Sequence, residues 1–180
     1  MKFKKLIMAI LFIVLLILGS EYVVKNIMFP YKHQKYVDKY SEEYNVDPLL
    51  VLAIMKTESN FNSDAESNKG AKGLMQIMDS TAEWISEETD TENFVVSNIY
   101  NEEINIKFGS WYINNLLNQF ETLEVAIAAY NAGSGNVTKW LADKEYSEDG
   151  KTLSYIPFVE TKKYVDKVIT NYNIYKTIYK

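Results

Sequence analysis

The stretch "VDPLLVLAIMKTE", residues 46–58, limits the fold more than any other part of this chain. An Asp-Pro pair signals a helix start, because aspartate caps free N–H groups and proline fits the first helical turn. From Leu49 to Met55 every residue is apolar, so a helix made of them has no face to give to water. Such a helix belongs in the middle of a core, with other elements packed around it. It ends on Glu58, which shares a side with Leu50 and Ile54, eight and four residues earlier. Either that carboxylate turns out to solvent, or it is held in a cleft where burial disfavours its charged form and its proton matters.

The surrounding sequence supplies helices to cover it. "KHQKYVDKYSEEYNV" sets Tyr36, Val37, Tyr40 and Tyr44 at helical spacing. Asn60 to Lys72 reads as a loop rich in Asn, Ser, Asp and Gly. "STAE", Ser80 to Glu83, has the form of a capping box opening a helix. Residues 86–101 look irregular, and "NFVVSNIY" within them is the one stretch of strand-like composition. "NEEINIKFGSWYINNLLNQF" presents Ile106, Trp111, Ile113, Leu116, Leu117 and Phe120 to a core. "LEVAIAAYNAG" is a short apolar helix stopped by Gly133 and Gly135. Residues 142–154 form a polar loop, and Pro157 opens a last helix with Tyr164, Val165, Val168, Ile169 and Tyr172 inward. The expectation is a mostly α domain over residues 30–180.

Before it, "MKFKKLIMAILFIVLLILGS" places three lysines ahead of an uncharged apolar run. Leu18 stands where a cleavage site would want a small residue, so residues 1–29 read as an uncleaved signal anchor and short linker. Lys2, Lys4 and Lys5 would stay in the cytoplasm, with one pass through the cell membrane and the domain outside it. Cleavage would make the domain secreted instead. From Asn26 onward 15 lysines face 23 acidic residues, a net charge of −8.

That balance excludes nucleic acid as a partner. The chain has no arginine, so bidentate guanidinium clamps are ruled out. With no cysteine and only His33, expected on the surface at a helix start, it offers no disulfide, no thiol nucleophile and no metal site of Cys or paired His. No cofactor is expected. Carboxylates, hydroxyls and amides have to carry any chemistry, and a protonated Glu58 suits a general acid for a poor leaving group such as a glycosidic oxygen.

Four motifs in order carry a resemblance: "ESNF" at Glu58, "GAKGLMQIM", "AAYNAG" and "YIPFVETKKY". With "NIKFGSWYI" between the second and third, the chain resembles the lytic transglycosylases of the goose-lysozyme-like type from about Tyr36 to Tyr172. That resemblance implies a lysozyme-like helical fold and peptidoglycan glycan strands as the partner. It implies Glu58 as lone acid and base, Ser67 touching N-acetyl or hydroxyl groups of a sugar, and Gln76 and Met78 lining the cleft. Tyr130 would reach the reacting sugar near Glu58, and Glu160 would support the site. The family's proline after "GLMQIM" is replaced by Asp79, which can serve the same helix start. The resemblance further implies that the substrate's N-acetyl group does the work of a second carboxylate, giving a 1,6-anhydro sugar. Most glycosidases use two carboxylates, and Asp64 and Glu66 in the loop are candidates for the second. A peptidoglycan hydrolase on the same fold is therefore an alternative, as is a non-catalytic wall-binding domain. For Trp84, Trp111 and Trp140, on predicted helix faces or ends, packing in the core is expected over stacking on sugars.

Overall fold

The computed structural model describes residues 2–180, the side chains of Lys2, Phe3, Lys5, Leu6, Ala9 and Ile10 excepted. The chain forms α1 (Lys2–Val23), α2 (Gln34–Glu43), α3 (Pro48–Glu58), α4 (Asp79–Glu88), α5 (Glu102–Gln119), α6 (Leu123–Ala132), α7 (Ser134–Ala142) and α8 (Val159–Tyr179). A π-helical turn, Val24–Met28, prolongs α1, and a 3-10 turn, Val96–Tyr100, precedes α5. No strand occurs among the described residues; Lys72 makes isolated β-bridges with Glu66 and Ile77. The mostly helical architecture is the one the sequence predicts.

The central helix is α3. Asp47 caps it, its side chain accepting from Leu49 N–H at 2.8 Å, and every residue from Leu49 to Met55 is buried. Removing such side chains from water stabilises the fold by about 1.5–3 kcal/mol each, which is why the other helices gather here. Helix α8 crosses α3 and is bonded to both of its ends. Asn171 donates to Thr57 Oγ1 at 2.9 Å, and Tyr172 donates to Asp47 at 2.8 Å. Helix α2 covers α3 with Val37 and Tyr40, while α6 packs between α5 and α8.

Three local expectations are corrected. The "STAE" capping box does not form: α4 begins at Asp79, two residues earlier than a cap on Ser80 would place it, Met78 precedes it in extended conformation, and no side chain caps it. Asp79 enters the first turn instead, where its charge suits the helix dipole and Lys72 Nζ meets it at 2.7 Å. Gly133, at φ +84°, ends α6 and at once starts α7, so Gly135 lies inside a further helix that buries Val137 and Trp140. "NFVVSNIY" keeps the irregular form expected of residues 86–101, as loop and 3-10 turn, because only Ile99 in that turn is buried and the acidic run before it has no neighbouring strand to pair with. His33 does precede α2, but it is mostly buried, with Nδ1 3.0 Å from Glu102 Oε2.

At the N-terminus, Leu11–Met28 has a mean hydropathy of 1.8 with none of it buried, so this helix is long and apolar enough to cross a membrane. Met1 lies outside the described residues, as do the side chains of Lys2 and Lys5 in the expected cytoplasmic flank. The end of α8 is tied to the foot of this helix: Tyr179 donates to Phe29 O at 2.8 Å and Tyr175 to Pro30 O at 3.1 Å.

Candidate active site

Glu58 is the last residue of α3, so the buried run Leu49–Met55 carries the helix from the core to the floor of a cavity of about 450 Å³. Its carboxyl is largely shielded from water. That burial raises its pKa from 4.5 to about 7, against the lowering effects of a hydrogen bond from Tyr164 and the charge of Lys167. Tyr164 OH, from α8, donates to Glu58 Oε1 at 2.7 Å. Glu58 is thus protonated in mildly acidic solution and has a donor in place to steady it once ionised.

Beside Glu58 runs the segment 73–78, "GLMQIM", held by three side chains from three elements. Ser59 Oγ donates to Leu74 O at 2.8 Å, and Tyr130 OH on α6 donates to Met75 O at 2.9 Å. Asn105 on α5, fully buried, accepts from Met75 N–H at 2.7 Å and donates to Ile99 O at 2.8 Å and Lys72 O at 3.0 Å. Two glycines permit this approach. A Cβ on Gly73, whose φ is +78°, would lie 2.3 Å from Asn105 Nδ2, and one on Gly109 would lie 2.2 Å from Met75 Sδ. Asn105→Ala leaves one buried N–H and two carbonyls without this partner, at about 1–3 kcal/mol for each unsatisfied group. A urea melt is expected to show a loss of about 3 kcal/mol or more; a loss under 1 kcal/mol would contradict this role.

All the expected site residues line the cavity: Glu58, Ser67, Gln76, Met78 and Tyr130, with Glu160 at α8's first turn. Gln76 sits at φ +50°, a costly backbone for a residue with a Cβ, which the surrounding bonds hold in place. Its Nε2 donates to Gly73 O at 2.9 Å and Ala65 O at 3.1 Å, so its carbonyl oxygen is left to accept from a ligand. Ser67 Oγ accepts from Ala71 N–H at 2.9 Å and keeps its own proton to donate. Met78 stands exposed on the rim. Tyr130 places its ring on the wall while its hydroxyl is committed to Met75 O. The tyrosine hydroxyl on Glu58 comes from Tyr164, which sequence spacing assigns only to the core.

Glu160 is exposed and pairs with Lys69 across the cavity mouth at 3.2 Å. Asp64 and Glu66 do not line the cavity, and Glu66 accepts from Tyr100 OH at 2.8 Å. Among the described residues Glu58 is therefore the one buried carboxyl at this cavity. Sequence reasoning passed over Asn131, next to Tyr130 in "AAYNAG". Its Oδ1 accepts from Thr161 at 2.9 Å, which leaves its amide N–H groups for the cavity. Tyr164 closes the motif "ETKKY", one helical turn after Glu160, and that spacing was the available signal for it.

The transglycosylase SLT domain family matches residues 35–153. The soluble lytic murein transglycosylase of Escherichia coli (strain K12) is 31% identical over 144 residues, covering 78% of this chain and 22% of that protein. The membrane-bound lytic murein transglycosylase C of Edwardsiella ictaluri is 30% identical over 178 residues, covering 82% of this chain and 47% of that one. Among solved structures, the 70 kDa soluble lytic transglycosylase of Escherichia coli matches with a TM-score of 0.73 at 28% identity, over 83% of this chain and 25% of that one. An inactive glutamate-to-glutamine mutant of the lytic transglycosylase Slt from Pseudomonas aeruginosa matches with the same TM-score, 0.73, at 32% identity, over 84% of this chain and 25% of that one. The chain spans about a quarter of the length of the soluble relatives it matches. Its fold is the lysozyme-like one of these enzymes.

Proposed function

Since the chain belongs to the transglycosylase SLT domain family, we propose that it is a lytic transglycosylase acting on peptidoglycan glycan strands. It cuts the β-1,4 bond between N-acetylmuramic acid and N-acetylglucosamine, with Glu58 as single acid and base. The observation that carries this reading is one buried, protonatable carboxyl at the floor of a polar cavity, with a tyrosine donor on it.

Protonated Glu58 gives its proton to the glycosidic oxygen as the bond from that oxygen to C1 breaks. The positive charge left at C1 is taken up by the acetamido oxygen of the same sugar. Glu58, now a carboxylate held by Tyr164, then removes the proton of that sugar's 6-hydroxyl, and O6 bonds to C1 as the bond from C1 to the acetamido oxygen breaks. The proton returns to Glu58 and no water is consumed, so the product carries a 1,6-anhydro end. The neutral hydrogen-bonding groups of Ser67, Gln76 and Asn131 suit the amides and hydroxyls of the sugars.

A hydrolase would need a second carboxylate to activate water. Glu160 is the other one lining the cavity, and its exposure and pairing with Lys69 favour the single-carboxylate route. In this reading residues 30–180 are the catalytic unit and α1 is a membrane anchor that leaves the domain outside the cytoplasm. The membrane-bound relative and the unburied apolar helix support that placement.

Peptidoglycan turnover by two variants tests the cavity. Gln76→Ala loses its acceptor and two loop bonds, and Tyr130→Phe frees the Met75 carbonyl. Each is expected to lose about 1–3 kcal/mol of transition-state stabilisation while remaining folded. Digestion at the parent rate by both would overturn their assignment to the site.

A further inference from the structure

The catalytic cavity does not end at Met78. A second cavity of about 250 Å³ shares Gln76, Met78, Tyr130, Asn131 and Ala132 with it and continues on to Thr81, Tyr112 and Gly133. Trp84 lies beyond that lining, one turn after Thr81 on the same face of α4 and against the ring of Tyr112. Contrary to the expectation of core packing, Trp84 is 39% exposed. It is nonetheless fixed: its ring meets Trp111 edge-on at 5.1 Å and Tyr112 edge-on at 6.2 Å, and Tyr112 meets Tyr130 at 5.2 Å. A row of aromatic rings therefore leads from the wall of the Glu58 cavity to the surface.

A tryptophan held rigid by two aromatic neighbours but open on the remaining side loses little freedom on binding. Its apolar face suits the C–H face of a pyranose ring, and the hydroxyl of Thr81 and the amide of Asn131 lie along the way for the sugar's polar groups. Trp111 itself is half-buried, and Trp140 is buried beneath Phe158, so of the three tryptophans Trp84 is the one placed to meet a ligand.

We propose that Trp84, backed by Trp111 and Tyr112, is a distal platform for a β-1,4-linked N-acetylhexosamine unit, engaged by glycan long enough to pass over Met78. This rests on the reading of the Glu58 cavity as a glycan site. The platform holds the strand away from the reacting bond, so it favours long chains over short ones.

Tryptophan fluorescence or calorimetric titration of the full chain in detergent, in a Glu58→Gln background that spares the ligand, tests it. The probes are the β-1,4 dimer and tetramer of N-acetylglucosamine. The tetramer is expected to bind more tightly than the dimer, and Trp84→Ala to weaken the tetramer roughly fivefold or more while leaving the dimer little changed. Trp84→Phe should restore most of the difference. Equal weakening of both oligomers would mean that Trp84 acts through the shape of the catalytic cavity, and unchanged tetramer binding would mean that it takes no part; either overturns the platform. Failure of both oligomers to bind with Trp84 intact would overturn the glycan reading itself along with it.

Discussion

Glu58→Gln is expected to abolish measurable peptidoglycan digestion while giving a more stable protein in alkaline solution. One side chain supplies both proton transfers, and general acid–base assistance is worth roughly 10²–10⁴-fold in rate for each such role. The amide keeps the shape and still accepts from Tyr164, so the fold is retained. The stability gain follows from linkage. Between pH 4.5 and about 7 the folded state holds a proton on Glu58 that the unfolded chain has released. Stability is therefore lost as pH rises through this window, by about 3 kcal/mol once Glu58 is ionised. Glutamine never ionises. Thermal melts at pH 8 should place the variant above the parent, and melts at pH 4 should bring the two together. A variant that digests the wall, or one less stable at pH 8, would contradict the assignment of Glu58 as a buried acid.

Activity itself should follow the same proton. The reaction begins with protonated Glu58, so kcat/KM is expected to hold below about pH 7 and to fall roughly tenfold per pH unit above it. Burial sets that limb high, and the Tyr164 hydrogen bond holds it down by favouring the charged form. Tyr164→Phe should thus move the alkaline limb to higher pH as well as slow turnover. A packing role alone would lower activity without moving the limb. Rates that keep rising through pH 9 would show that the working acid is another group.

Much of this site is written in local sequence. Asp47-Pro48 and the apolar run fix where α3 starts, that it is central, and that Glu58 ends it. Gln76, Tyr130 and Ser67 stand in short motifs whose polar types are visible in any order of folding. Other features depend on distance in the chain. Tyr164 meets Glu58 across 106 residues, and its spacing on α8 fits a core face equally well, because the cavity floor is part of that face. Asn105 sits between Ile104 and Ile106, and nothing local announces that its amide is matched to three backbone groups brought from elsewhere. The capping box failed for the opposite reason: the pattern was present, but Asp79 and its Lys72 partner were one residue ahead of it. Gly135 misled because Gly133 has already turned the chain, and a glycine can sit in the first turn of a new helix as readily as it ends one.

Mass spectrometry of the sugar ends released from purified peptidoglycan by the full chain tests the central claim most directly. With Glu58 acting alone as acid and then base, the main products end in 1,6-anhydro-N-acetylmuramic acid. They have no reducing end and are lighter by one water than the products of hydrolysis. Reducing muramic acid ends as the main product would show that water attacks C1 and that a second group activates it, contradicting the single-carboxylate mechanism.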